Sequence, residues 1–332
     1  MQTDRNGIET LSAPIWKPAE YSYEAAYGFI PNIHAYLHPD DKNRDAMLMA
    51  PGGGYCMCVP HEGELPAMDF YDRGMNVFVL SYTTDITMSV PLKKQPLSDI
   101  SRAVRFLRRN AGTYRIEGKK LIICGYSAGA HVCGTLAVHH QDIEDPDPSY
   151  AAFSNRPDGV ILSYPVITTG EFTHDGSVYA LLGADPSEEE LAWFSLEKQV
   201  TELTPPCFLW QTQTDDLVPV ENSYLFAMAL RKAGVPFAHY VFPEGMHGLS
   251  IANSQYFAGW TGGDYTMDQV MRAARAVRDG KGVRVSDKRR EELIEQFFGE
   301  QPKEWPTPDP GLMKDVGLWA QLAYTWIERL PG

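Results

Sequence analysis

The 332-residue chain is short of positive charge: 29 lysines and arginines stand against 43 aspartates and glutamates, a formal net charge of −14. Nucleic acid or an anionic membrane surface would need a basic face, so neither partner is expected. No run of 18 apolar residues occurs, and the opening MQTDRNGIETLSAPIWKP lacks a basic start followed by an apolar core. Neither a membrane-spanning helix nor a secretory leader is expected. Cysteine is scarce and odd in number, five in all, with no paired spacing except a lone C-x-C at Cys56 and Cys58. That usage argues against a disulfide framework and against a structural zinc site, and it points to a reduced, cytoplasmic protein without a metal. Repeats and low-complexity tracts are lacking too.

What remains is ordinary for a folded chain: 44% hydrophobic and 22% charged residues, enough to bury a sizeable core. Apolar runs that read as strands cover 33–37, 46–50, 76–81, 120–124, 159–163, 207–211 and 237–242. Helical patterns lie between them. SDISRAVRFLRRNA puts Ile100, Val104 and Leu107 on one face and its arginines on another, and HVCGTLAVHH, ENSYLFAMALRKAG and VGLWAQLAYTWIERL are similarly periodic. Gly234 is placed to stop the third of these. Strands alternating with helices imply a largely parallel sheet with helices on both faces. Two stretches break the rhythm, 166–200 and 251–313, and insertions at loop ends of such a sheet often cover a site.

The sharpest local signal is LIICGYSAGAHVCG, a β-rich run that ends in G-x-S-x-G and passes into a helix. That is the form of a nucleophile elbow. A sharp strand-to-helix turn presents the Ser127 hydroxyl above the sheet, and only small residues fit at Gly125 and Gly129. The helix start beneath favours negative charge. A serine nucleophile needs a base and an acid, which in this arrangement follow it in chain order as acid, then histidine. His34, His38 and His61 precede Ser127. His131, His139 and His140 lie on the helix after it, and His174 precedes the acid candidates. His239, inside FAHYVF, reads as a strand histidine. His247, in PEGMHGLS between Gly245 and Gly248, remains as the base. The acid comes from QTDDLVPVENS, where Asp215 and Asp216 are adjacent and position alone does not choose between them. The oxyanion of a tetrahedral intermediate needs N–H donors. One is expected from Ala128, after the nucleophile, and another from the PGGGY loop at 51–55.

These segments resemble the α/β-hydrolase superfamily, and within it the hormone-sensitive-lipase-like esterase branch. The likeness rests on PGGGY, PLSDISRAVRFLRRNA, GYSAGAH, DDLVPVENS and EGMHGLS, and it covers 33–250 and the final helix. It is nearest to acetyl-xylan-esterase-like bacterial carbohydrate esterases, whose D-x-x-V-P motif falls on Asp215. The resemblance implies Asp215 as the acid, with Gly53 and Gly54 as oxyanion donors beside Ala128. It also implies a single α/β-hydrolase domain over 1–332, with insertions at about 166–200 and 251–313. The implied activity is that of a serine esterase without metal or organic cofactor, acting on short acyl esters, acetylated oligosaccharides foremost. Pro51 and Gln211 depart from the histidines common in that branch, and the 251–313 insertion is longer than its pattern. A peptidase of the prolyl-oligopeptidase type shares this catalytic domain but carries a propeller, whereas about fifty residues precede the glycine loop here. A non-catalytic ligand-binding relative would not require all of Ser127, Asp215 and His247.

Weaker signals have plainer readings. Cys124 and Cys133 are small buried hydrophobes. PHEGE lacks the H-E-x-x-H spacing, so Glu62 or Glu64 is expected at a helix start. The basic run from Arg272 to Arg290, with Val270, Ala274 and Val277 at helical spacing, is expected to be a solvated face. Tyr55, Trp193 and Trp260 are candidates for stacking on a sugar ring.

Overall fold

A computed structural model describes residues 2–3, 7–299 and 309–331. Its strands are β1 (Gln2–Thr3), β2 (Glu9–Pro14), β3 (Asn32–Leu37), β4 (Ala46–Ala50), β5 (Asn76–Ser81), β6 (Leu121–Tyr126), β7 (Gly159–Ser163), β8 (Cys207–Thr212) and β9 (Phe237–Phe242). They form one sheet in the order β1-β2-β3-β5-β4-β6-β7-β8-β9. Pairing is antiparallel from β1 through β5 and parallel from there to β9. Every residue of β4 to β8 is buried, which is why these segments read as unbroken apolar runs rather than alternating ones.

The helices are α1 (Glu64–Asp72), α2 (Gln95–Arg109), α3 (Ala128–His139), α4 (Pro148–Ala151), α5 (Asp175–Leu182), α6 (Glu188–Phe194), α7 (Glu221–Ala233), α8 (Ser254–Phe257), α9 (Asp268–Arg278), α10 (Asp287–Phe298) and α11 (Trp319–Glu328). Successive strand residues point to opposite faces and feed two cores. Leu48, Phe78, Ile123 and Leu162 pack with Ile100 of α2, Val132 of α3 and Leu230 of α7. Met47, Val79, Ile122 and Trp210 pack with Phe70 of α1 and Trp319 of α11. Helix α7 ends at Gly234, whose φ of 72° takes the left-handed cap.

Two local outcomes differ from the sequence pattern. The segment ETLSAP forms β2 although its polar composition hides it; it pairs with β3 and stays partly exposed. Helix α2 buries Ile100, Val104 and Leu107, yet Arg102 on its other side is also fully buried. The guanidinium lies between the rings of Trp16 and Tyr150, 4.0 and 4.2 Å from their centroids, and pairs with Asp145 at 2.5 Å and Glu20 at 3.1 Å. Segments remote in sequence cover that face, so an arginine that appears solvent-directed is satisfied inside.

Candidate active site

The site forms at the carboxyl ends of the parallel strands. Strand β6 turns directly into α3 through Ser127, which adopts φ 52° and ψ −119°. This is a costly backbone state for a residue with a side chain and must be held by its surroundings. The Ser127 N–H donates to the Ser163 carbonyl at 3.0 Å, and the Ser127 carbonyl accepts from the N–H groups of His131 and Val166. The elbow glycines are there for closeness. A Cβ on Gly125 would lie 2.3 Å from the Gly129 oxygen, and one on Gly129 would lie 2.1 Å from the Ala50 oxygen.

His247, in the loop after β9, brings Nε2 to 2.8 Å from Ser127 Oγ. Its Nδ1 lies 2.8 and 3.1 Å from the two oxygens of Asp215. The carboxylate only accepts, so Nδ1 carries the proton and Nε2 offers its lone pair to the serine hydroxyl. The Asp215 side chain is wholly buried. Its Oδ1 also accepts from the N–H groups of Leu217 and Val218, and Gln211 Nε2 reaches Oδ2 at 3.3 Å. Asp216 takes a different part of the same histidine, accepting from the His247 backbone N–H at 3.0 Å. Of the adjacent pair that position left open, Asp215 meets the imidazole ring. The ring of Tyr164 stands edge-on to it, 4.9 Å between centroids.

The glycine loop is fixed peptide by peptide. The Pro51 carbonyl accepts from the Tyr82 hydroxyl at 2.7 Å, the Gly52 carbonyl from Val59 N–H, and the Gly53 carbonyl from Cys56 and Met57 N–H. All these peptides are trans, so the N–H groups of Gly53 and Gly54 point away from the pinned carbonyls. Among the described residues nothing accepts from them, nor from the N–H of Ala128 at the start of α3. Gly53 sits at φ 123°, where a Cβ would also lie 2.5 Å from the Met57 oxygen.

Ser127, His247, Gly53 and Gly54 line a cleft of about 430 Å³, together with His61, His174, Leu217, Met246 and Tyr256. The order-based elimination of His61 and His174 as bases leaves them no role, yet both stand in the cleft wall. Only proximity in space reveals them. His174 Nδ1 accepts from the Ser177 N–H at 3.3 Å, which leaves the proton on Nε2, and burial, then the proximity of a second titratable imidazole on His247, holds its pKa down. The two insertions each supply a wall residue, His174 from 166–200 and Tyr256 from 251–313. Among the described residues of the longer insertion, Val270, Ala274 and Val277 of α9 are buried, while Arg272 and Arg278 pair with Asp268 and Asp279 on the surface.

Other expected residues sit as follows. His239 of β9 faces Ser223 Oγ at 3.1 Å. His131 is buried between the Tyr55 hydroxyl at 2.7 Å and the Phe194 carbonyl at 2.9 Å, and burial pushes its pKa down to about 4. Tyr55 is 2% exposed and Trp193 is sandwiched between His139 and Lys94, so neither is open to a sugar, whereas Trp260 remains exposed. The five cysteines are free and buried, and burial raises the Cys56 and Cys58 thiols to about 12. Glu64 does open α1, but Glu62 lies in the preceding 3-10 turn and turns inward, accepting from the Gly52 N–H at 2.7 Å. Among the described residues no group of three His, Cys, Asp or Glu side chains is arranged to hold a metal ion. Nor is any described helix long and apolar enough to cross a membrane.

Comparison with known proteins agrees with this architecture. The BD-FAE family model matches residues 35–230. Over 270 residues the chain is 69% identical to the endo-1,4-beta-xylanase B of Butyrivibrio fibrisolvens, covering 81% of this chain and 42% of that protein. Over 222 residues it is 28% identical to an acetylxylan esterase of Xylanibacter ruminicola, covering 64% and 42% respectively. The chain therefore spans less than half the length of either relative. Among solved structures, an acetyl ester-xyloside bifunctional hydrolase from Caldicellulosiruptor lactoaceticus superimposes with a TM-score of 0.68 at 33% identity, covering 81% of this chain and 96% of that one. With the sheet order, the elbow and the family match in agreement, the chain belongs to the BD-FAE family and has the α/β-hydrolase fold.

Proposed function

We propose that the chain is a serine carboxylic-ester hydrolase in which Ser127 is the nucleophile, His247 the general base and acid, and Asp215 the residue that holds the imidazole tautomer. The observation that carries this reading is the 2.8 Å approach of His247 Nε2 to the hydroxyl of a backbone-strained Ser127. In the first half-reaction Oγ adds to the ester carbonyl carbon as its proton passes to Nε2, and the carbonyl π electrons move onto oxygen. The N–H groups of Gly53, Gly54 and Ala128 receive that oxyanion. Collapse expels the alcohol, which takes the proton from Nε2 and leaves an acyl-Ser127 ester. Water then repeats the sequence and releases the acid. Every proton in the cycle is carried by His247, and no step requires a cofactor.

Short acyl esters of hydroxyl-rich alcohols are the substrates we favour, with acetylated xylo-oligosaccharides first. The relatives' names support this, as does a cleft of about 430 Å³ whose walls carry two histidines. Glycoside cleavage, suggested by the xylanase and xyloside names, requires a pair of carboxyl groups flanking the bond. Here Asp215 is committed to His247 and Glu62 to Gly52, which favours acyl transfer. Hydrolysis of nitrophenyl acetate, butyrate and octanoate, of acetylated xylo-oligosaccharides and of a nitrophenyl xyloside, with Ser127→Ala as control, tests the reading. Acetate esters turned over by the wild type alone, with the xyloside untouched, is the expected result. Equal rates for the wild type and Ser127→Ala on all esters would sink it.

A further inference from the structure

One carboxylate in the cleft wall has no part in the proton transfers above. Glu62 is 2% exposed and belongs to the short 3-10 turn after the glycine loop. Its Oε2 accepts from the Gly52 N–H at 2.7 Å and its Oε1 from the Tyr164 hydroxyl at 2.7 Å. The Tyr164 oxygen in turn accepts from the Ser250 N–H at 3.0 Å, three residues beyond His247, and the Tyr164 ring stands against the His247 ring. Glu62 thus ties together three segments that share no secondary structure: the glycine loop, the end of β7, and the loop that carries His247. Tyr164 holds φ 36° and Ser250 φ 51° to make these bonds, both left-handed states.

We infer that Glu62 is a positioning residue that aims the oxyanion donors, its Oε2 fixing the Gly52 peptide so that the Gly53 and Gly54 N–H groups face the carbonyl under attack. This rests on the esterase reading. The other polar group beside it, His61 Nε2 at 4.0 Å from Oε1, lies beyond hydrogen-bond distance. Gly52 N–H is spent on the carboxylate and is not a donor to substrate. The other end of that peptide, the Pro51 carbonyl, is already held by Tyr82, so the peptide plane is gripped from both sides. A Cβ on Gly52 would lie 2.7 Å from Oε2 and 2.9 Å from Ser127 Cβ, which places the clamp immediately behind the nucleophile. Rotation of this plane swings the next N–H groups, and a displacement of about 1 Å at such a site costs on the order of 10²-fold in rate.

Glu62→Leu, Glu62→Gln and Tyr164→Phe, assayed on nitrophenyl acetate and with an alkyl trifluoromethyl ketone, test the inference. The ketone is attacked by Ser127 to give an oxyanion, so its inhibition constant reports the donors directly. Glu62→Leu should lower kcat about 100-fold with KM changed less than about threefold, and should weaken the ketone by a similar factor. Glu62→Gln should recover to within about tenfold of wild type, because its amide oxygen still accepts from Gly52 N–H. A merely structural role would lower the melting temperature without moving the ketone constant in step with kcat. Overturning results are a folded Glu62→Leu with wild-type kcat, or a Gln variant as impaired as the Leu variant. Should the Leu variant not fold, Tyr164→Phe decides: it removes one of the two anchors and should weaken the ketone about three- to tenfold, and an unchanged constant would overturn the inference. A wild type no faster than Ser127→Ala would instead bring down the esterase reading itself, so the two failures are separable.

Discussion

Asp215→Asn exchanges one oxygen for an amide nitrogen and keeps the side-chain outline. Asp215 Oδ1 accepts from two backbone N–H groups, those of Leu217 and Val218. The asparagine oxygen stays there, because turning the amide over would set an NH₂ against two N–H donors at 2.9 and 3.0 Å, whereas the Oδ2 position meets only the longer 3.3 Å approach of Gln211 Nε2. The amide nitrogen therefore occupies the Oδ2 position, 2.8 Å from His247 Nδ1. It donates to Nδ1, the imidazole proton moves to Nε2, and the nitrogen facing Ser127 can no longer accept. The expected loss is about 10³- to 10⁴-fold in kcat, or about 4–5.5 kcal/mol of barrier, with little change in KM. Asp216→Asn is the internal control. It keeps a carbonyl oxygen for the His247 backbone N–H and should stay within about threefold of wild type. Steady-state kinetics on nitrophenyl acetate at pH 7 to 8, with melting curves for both variants, gives the answer. A folded Asp215→Asn within tenfold of wild type, or an Asp216→Asn that costs more, would refute the tautomer argument.

His131 supplies a stability test with a defined sign. Its folded pKa is lowered to about 4, while an unfolded histidine titrates near 6.5, so its contribution is fully present above about pH 6.5 and is lost as pH falls toward 4. The loss amounts to at most about 3 kcal/mol, and His131→Gln should flatten the fall of melting temperature over that window. Gly129→Ala places a methyl 2.1 Å from the Ala50 oxygen and should destabilise the fold by at least about 2 kcal/mol while abolishing ester hydrolysis, read by denaturant melts and the acetate assay. None of the five buried thiols should react with Ellman's reagent at pH 8 in the folded protein, and all five should react in denaturant; a fast thiol in the native state would contradict their burial.

Much of this site was legible because its demands are local. The elbow needs small residues two positions either side of Ser127, and β4 to β8 needed only continuous apolar character to be seen. Asp215 and Asp216 were not separable locally, since what distinguishes them is which one lies under the ring and which under the main chain of a histidine about thirty residues away. His61 and His174 escaped for a related reason. Chain order constrains a base, but a wall residue has only to be near, and nothing in PHEGE or FTHDGS records the distance to Ser127. Arg102 shows the opposite failure, since the periodicity of α2 is correct and the surroundings that bury its polar face come from Trp16, Glu20, Asp145 and Tyr150. Strand β2 left no trace because a half-exposed antiparallel strand can be built from ETLSAP.

The helix that follows the nucleophile is bolted to the first insertion through two histidine rings. His131 Nε2 meets the Phe194 carbonyl, and His139 Nε2 meets the Trp193 carbonyl at 3.1 Å, while the far side of the His131 ring takes the Tyr55 hydroxyl from the glycine loop. The segment that contributes His174 is consequently not an interchangeable part. Grafting a relative's loop onto this scaffold to alter selectivity would succeed only if the graft restored main-chain oxygens at those two places.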